Sequence, residues 1–156
     1  MSEIIVNSAL TLRRIVLQQV DAIPEELFDV QPAGFNNTVR WNVGHLVYWA
    51  DAYMTLCFGS GSGIPSAYAA FFNSGTKPAD WTEAPPSKAE LLRELSAQLD
   101  RFADIAPDRL NAPLAPPLRQ GPLEFHAAGE LFNFALMHEA MHLAACGSLL
   151  KAAVPA

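Results

Sequence analysis

Apolar residues recur at helical spacing over four stretches of this chain, and the breaks between them are rich in proline, glycine and serine. In residues 2–23, Ile5, Leu12, Ile15 and Gln19 fall along one side with Ala9, Val16 and Val20 beside them, and Pro24 ends the run. Pro24-Glu25-Glu26 can open a short extra turn through Phe28. Residues 31–38 carry Pro32, Gly34, Asn36 and Asn37, which is loop chemistry. Asn37 or Thr38 can then cap a second helix that reaches Phe58. Gly59-Ser60-Gly61-Ser62-Gly63 stops that helix, and Tyr68, Phe71, Phe72 and Trp81 follow among Gly, Pro and Ser before Pro86. A connection this long is expected to be a crossover or a lid, pinned to the bundle by its aromatic residues.

Ser87-Lys88-Ala89-Glu90 has the spacing of a capping box and predicts a third helix to about Ala106. Leu91, Leu95, Leu99 and Phe102 form its inward stripe, with Arg93, Glu94, Asp100 and Arg101 on the wet side. Residues 107–122 include Pro113, Pro116, Pro117 and Gly121, which predicts an ordered loop with two short extended segments. The last helix is expected to begin within residues 122–125 and run to about Lys151, which places His126 in its first turns. The fold class is therefore all-α: a four-helix bundle in up-down-down-up order, with a long crossover between helices 2 and 3.

Composition narrows the class further. At 156 residues, 51% hydrophobic and 17% charged, residues 1–156 are expected to form one domain whose helices are apolar over more than one face, and a homodimer could cover such a face. Residues 39–58 and 131–150 are long enough to span a bilayer, but Arg40, His45 and Asp51 interrupt the first and His138, Glu139 and His142 the second. Buried bundle helices are the expectation, with no membrane partner. Glu3 and Arg13-Arg14 break the N-terminal apolar run, so no secretory signal is visible and the cytoplasm is the default compartment. A net charge of -6 without a Lys/Arg cluster argues against nucleic acid as a partner, and Arg13-Arg14 reads as a solvated helix face.

The sharpest chemical signal is Met137-His138-Glu139-Ala140-Met141-His142 on the last helix. Residues four apart share a face, so His138 and His142 can hold one metal ion. A zinc peptidase would take its third ligand downstream, yet no Asp, Glu or further His follows His142. His126 lies about 18 Å away along a continuous helix. His45, in the apolar run Trp41-Asn42-Val43-Gly44-His45, is the remaining histidine. Alone it reads as a core histidine with a hydrogen-bond partner; with the pair it completes a three-His set that leaves a coordination position open. Such ligands suit zinc or nickel as the cofactor, and iron or copper as well.

Trp41, His45 and Trp49 recur one turn apart, which is either an aromatic core stripe or the apolar wall of a pocket over the metal. Glu139 lies about 100° round the helix from His138. It could be a catalytic proton acceptor, an anchor for His45, or a solvent-exposed charge. Cys57 and Cys146 are too few for a disulfide or zinc framework. Cys146 continues the row of His138 and His142, but an ordinary buried thiol is its simpler reading.

Phe28-Asp29-Val30-Gln31-Pro32, then Trp41 to His45 with Gly44 just before the histidine, then Glu130 to His142 occur in an order that resembles the DinB/YfiT-like superfamily of four-helix bundles. Many of its members have a Gly-Gln pair shortly after the last histidine, where this chain has Leu143-Ala144-Ala145. The resemblance implies a metal held by His45, His138 and His142. It also implies the up-down-down-up topology and chemistry on a small molecule, since relatives include thiol S-transferases and thiol-dependent isomerases. The functional expectation is a divalent-metal-dependent enzyme that transfers a low-molecular-weight thiol or hydrolyses a small molecule. The rival is a non-catalytic dimeric bundle or stress-related binding module with a structural metal or none. A zinc peptidase ranks third.

Overall fold

The computed structural model describes residues 2–154. Four long helices form the body: α1 (Ser2–Ala22), α2 (Val39–Phe58), α4 (Lys88–Ala103) and α5 (Ala128–Ala153). The short α3 (Tyr68–Phe72) lies in the crossover, and the strands β1 (Pro113–Gln120) and β2 (Leu123–Ala127) form an antiparallel hairpin before α5. Helix α2 packs chiefly on α5 and α1 on α4, with α2 also against α4 and α1 against α5. Among the described residues, no helix is long and apolar enough to cross a membrane.

Contacts at the helix ends fix the topology. Lys88 at the start of α4 donates to the carbonyls of Asp21 and Ile23, so α1 and α4 are antiparallel. The Cys57 thiol near the end of α2 donates to the Ala128 carbonyl at the start of α5, and Asn42 meets His142 at the other end. Gln98 donates to the Val47 carbonyl and Arg101 to Asp51, so α2 and α4 run parallel. The order is up-down-down-up, as the long crossover predicts.

Local chemistry sets the boundaries. Thr38 caps α2 by accepting from the Trp41 N–H, and Gly59 closes it in the left-handed region at φ 64°. Ser87 and Glu90 form the predicted capping box of α4. The start of α5 differs from expectation. Glu130 accepts from the backbone N–H groups of His126 and Ala127, which stops the helix at Ala128 and leaves His126 exposed on β2. The two extended segments expected in residues 107–122 become a hairpin that turns at Gly121 and reaches beyond them to Ala127. The crossover is pinned by buried Tyr68, Phe71 and Phe72, with Trp81 packed edge-on against the last two.

The core forms two apolar clusters. One gathers Val16, Val20, Phe28, Val47, Phe72, Leu91 and Leu149; the other gathers Ala9, Tyr53, Phe102, Leu131 and Phe132. At mid-bundle lies a polar layer. Arg13, fully buried, donates from Nε and Nη2 to the two Glu139 oxygens at 2.9 Å each, and from Nη1 to Gln98 Oε1 at 2.6 Å. Its guanidinium also lies 4.9 Å from the centre of the Phe102 ring.

This layer corrects two expectations. Arg13 is interior, and the buried stripe of α1 is Val6, Ala9, Arg13, Val16 and Val20, with Ile15 turned outward. In α4 the buried stripe includes Gln98 in place of Leu99. A long charged side chain is admitted because each guanidinium nitrogen finds an acceptor.

Removing Arg13 leaves a buried carboxylate unpaired, so Arg13→Met should destabilise the fold by about 3–5 kcal/mol in urea unfolding. Arg13→Met/Glu139→Leu removes both charges and should recover more than half of that loss. Equal destabilisation by the single and double variants would contradict a net cost of the orphaned charge.

Candidate metal centre

Three histidines from two helices converge where α2 faces α5. The ligand atoms of His45, His138 and His142 all lie within 4.8 Å of one another. His45 Nε2 and His138 Nε2 are 3.3 Å apart. Two nitrogens bound to one tetrahedral zinc at about 2.0–2.1 Å would be about 3.3–3.4 Å apart, so the spacing fits a shared ion.

Hydrogen bonds orient two of the three rings. His45 Nδ1 is 2.7 Å from the carbonyl oxygen of Phe72, which can only accept, so Nδ1 carries the proton and Nε2 presents its lone pair to the cluster. His142 Nδ1 is 2.8 Å from Asn42 Oδ1, while the amide nitrogen of Asn42 donates to the Thr38 carbonyl. That second bond sets which way the Asn42 amide points, and His142 Nε2 is again left as an acceptor. Two bare lone pairs facing one region call for a cation or a donated proton.

The Phe72 carbonyl reaches His45 because α3 lies close on α2. An added Cβ at Gly44 would overlap the ring of the fully buried Phe72, so glycine here is a requirement of close approach. Trp41 stacks on His45 with ring centres 4.5 Å apart and planes at 23°, and it is 5% exposed. Trp49 lies on the other side, with its ring 6.2 Å from His45 and 6.3 Å from His138. Beyond it, Tyr53 packs edge-on to His138, and Phe134 edge-on to Tyr53.

Burial lowers the proton affinity of the cluster. Loss of solvation, with the neighbouring His142 next, depresses His45 to about 3; the same two causes depress His138 to about 4, and desolvation lowers His142. Neutral imidazoles are the form that binds metal. Cys57 and Cys146 are buried and pushed up to about 12 by desolvation, and Cys146 sits in the apolar core, an ordinary buried thiol.

Glu139 is 4% exposed, which corrects its reading as a solvent-exposed charge. Both oxygens are held by Arg13, so action as a proton acceptor would require the carboxylate to leave that pair. His126 is exposed and remote from the cluster, as its sequence distance implied. Sequence reasoning missed Asn42 and the Phe72 carbonyl. Asn42 lies three residues before His45 on the same helix, a spacing that could have pointed to it. A backbone acceptor in a distant crossover leaves no trace in side-chain patterns.

Gly44→Ala should force Phe72 away, destabilise the fold by about 1–3 kcal/mol and weaken metal binding together. A variant that unfolds and binds metal like the parent would contradict the close-approach requirement. The histidine shifts carry a sign that is also open to measurement. Folded values below the ordinary 6.5 mean that their stabilisation is complete above about 6.5 and is lost as pH falls toward about 4 and 3. The urea midpoint of metal-free protein should therefore fall with pH across that window, and less steeply in His45→Gln.

No curated protein matches the chain. A family model described as the DinB superfamily matches residues 10–146, a span that holds all three histidines together with Arg13, Asn42 and Phe72, and the chain belongs to the DinB superfamily.

Proposed function

We propose that His45, His138 and His142 bind one divalent metal ion, zinc or nickel, and that the protein is a metal-dependent enzyme acting on a small molecule. The observation that carries this reading is the convergence of three imidazole nitrogens within 4.8 Å, on rings two of which are aimed by Nδ1–H hydrogen bonds to the Phe72 carbonyl and to Asn42 Oδ1. When bound, such an ion supplies Lewis acidity that favours the deprotonated form of a coordinated water or thiol. Three protein ligands leave one tetrahedral position for that group.

The chain's own residues then supply orientation and a dry wall. Neutral ligands leave the full charge of the ion uncompensated, because the nearest buried carboxylate, Glu139, is neutralised by Arg13. Trp41 holds the His45 ring by stacking, and the Phe72 carbonyl and Asn42 keep the imidazoles in the binding tautomer. Between the two uses of the site, transfer of a low-molecular-weight thiol is favoured over hydrolysis. Hydrolysis needs a proton acceptor for water, and Glu139 is tied up; a thiol surrenders its proton to solvent more readily.

Elemental analysis of untagged protein should find about one zinc or nickel per chain, lost in both His45→Ala and His138→Ala. Metal-loaded wild type should conjugate a thiol to an electrophile and His138→Ala should not. Protein that takes up no metal after reconstitution would return the chain to the rival reading, a bundle that works by binding alone.

A further inference from the structure

The outward sides of α1 and α5 carry a pattern that the bundle itself does not use. On α5, Asn133, Met137, Ala140, Ala144 and Gly147 recur by alternating steps of four and three residues. Glu130 opens this row and Lys151 closes it in the same rhythm. On α1, Ile5, Ser8, Leu12, Ile15 and Gln19 recur likewise. His138 lies about 100° to one side of Glu139 and faces α2, whereas Ala140 lies about 100° to the other, so its row looks away from α2. Ile5 and Asn133 line one hollow, which makes the two rows neighbours. A seven-residue repeat is the spacing by which one helix packs along another. Yet both rows stand at the surface: Met137 is 52% and Ile15 40% exposed, and Ser8, Asn133, Ala140 and Ala144 are exposed as well.

Between Glu130 and Lys151 this face holds no charge, although the chain has 16 acidic and 10 basic residues. Two copies that each carry a net charge of -6 repel, and they meet at least cost across such a face. Its ends have opposite signs, so a copy turned antiparallel by a two-fold axis matches the face to itself. With that axis level with His142, Ala140 falls opposite Ala144 of the second copy, Met137 opposite Gly147, and Asn133 opposite Lys151. Gly147 has room for the methionine, since an added Cβ there meets nothing within 4 Å. The Lys151 amine lies one turn from Glu130 of the other copy, whose helix cap uses Oε2 alone. Because α1 and α5 run parallel with Arg13 beside Glu139, Ile15 stands next to the same axis and meets its own copy. Over the length of α1 the two helices present about 30 Å by 20 Å, and side-chain relief brings that to the ~800 Å² per partner of a stable interface.

We infer that a second copy of this chain docks on the α1/α5 face, antiparallel, with both helices of each copy in the interface. The inference does not depend on the metal reading. The face lies on the side of α5 turned away from His138 and His142, so each copy keeps a complete histidine cluster of its own.

Sedimentation equilibrium of the full chain should give twice its mass of 16.9 kDa at micromolar concentration. Ala144→Arg sets like charges against each other near the axis and should weaken the dimer about 100-fold with the far-UV circular dichroism unchanged. Leu56→Arg, at an apolar position 46% exposed on α2, should leave the dimer as it is. Orientation is read by cysteine pairing in a buffer of oxidised glutathione, where the chain's own Cys57 and Cys146 are buried. Ile15→Cys should link to its twin as a covalent dimer. Ile4→Cys, about 16 Å further along α1 and so about 33 Å from its twin, should not. A wild type still monomeric at about 100 μM overturns the inference. So does a dimer that Ala144→Arg leaves intact, one that Leu56→Arg weakens equally, or one in which Ile4→Cys links as fast as Ile15→Cys.

Discussion

The buried pair between Arg13 and Glu139 sets the rotational phase of the bundle. Glu139 must point at α1, because an unpaired carboxylate in that interior would be far more costly than any alternative packing of α5. Once Glu139 is fixed, the residue before it points about 100° away and the residue three later lies close to that same direction. His138 and His142 are thereby turned to α2, where His45 waits. Gln98 ties the same guanidinium to α4 and to a carbonyl of α2, so one polar layer indexes all four long helices. A purely apolar layer there could fill the volume equally well, yet it would tolerate a rotated or shifted α5, and a metal site does not.

The second constraint acts on α2. His45 sits among two indole rings and the crossover, and its ring direction depends on a carbonyl that belongs to α3. That carbonyl arrives only because Gly44 lets the Phe72 ring lie against the helix backbone. The long crossover therefore does more than permit parallel helices. It carries a backbone acceptor to His45 on α2, while Asn42 on α2 serves His142 on α5.

Much of this was legible in the residues. The i, i+4 histidines, the Gly-Ser run, the Ser87-Glu90 box and the length of the crossover each have one dominant structural solution, and the topology follows from them. Arg13 was not legible because it stands beside Arg14, and a pair of arginines on a helix looks solvated until its neighbours are known. The same holds for Gln98, one step from Leu99 in a stripe that either could continue. His126 was misplaced for a different reason: Glu130 caps the helix from within its first turn, so the apolar run extends past the true start. Arg13 and Gln98 share a cause: each is placed by a tertiary partner far away in sequence, and periodicity reports only how a segment meets an average interior.

The electrostatics of the site follow from the same polar layer. Because Glu139 is neutralised by Arg13, the three imidazoles face no free carboxylate, and burial, with their mutual repulsion next, holds them neutral and ready to donate. A charged ligand in their place would have lowered the net charge of the bound ion and with it the acidity of whatever occupied the fourth position. The acidic surplus of the chain is kept at the surface or in ion pairs such as Arg40 with Asp29 and Arg101 with Asp51. The region around the histidines is thus electrically blank apart from the ion it would hold.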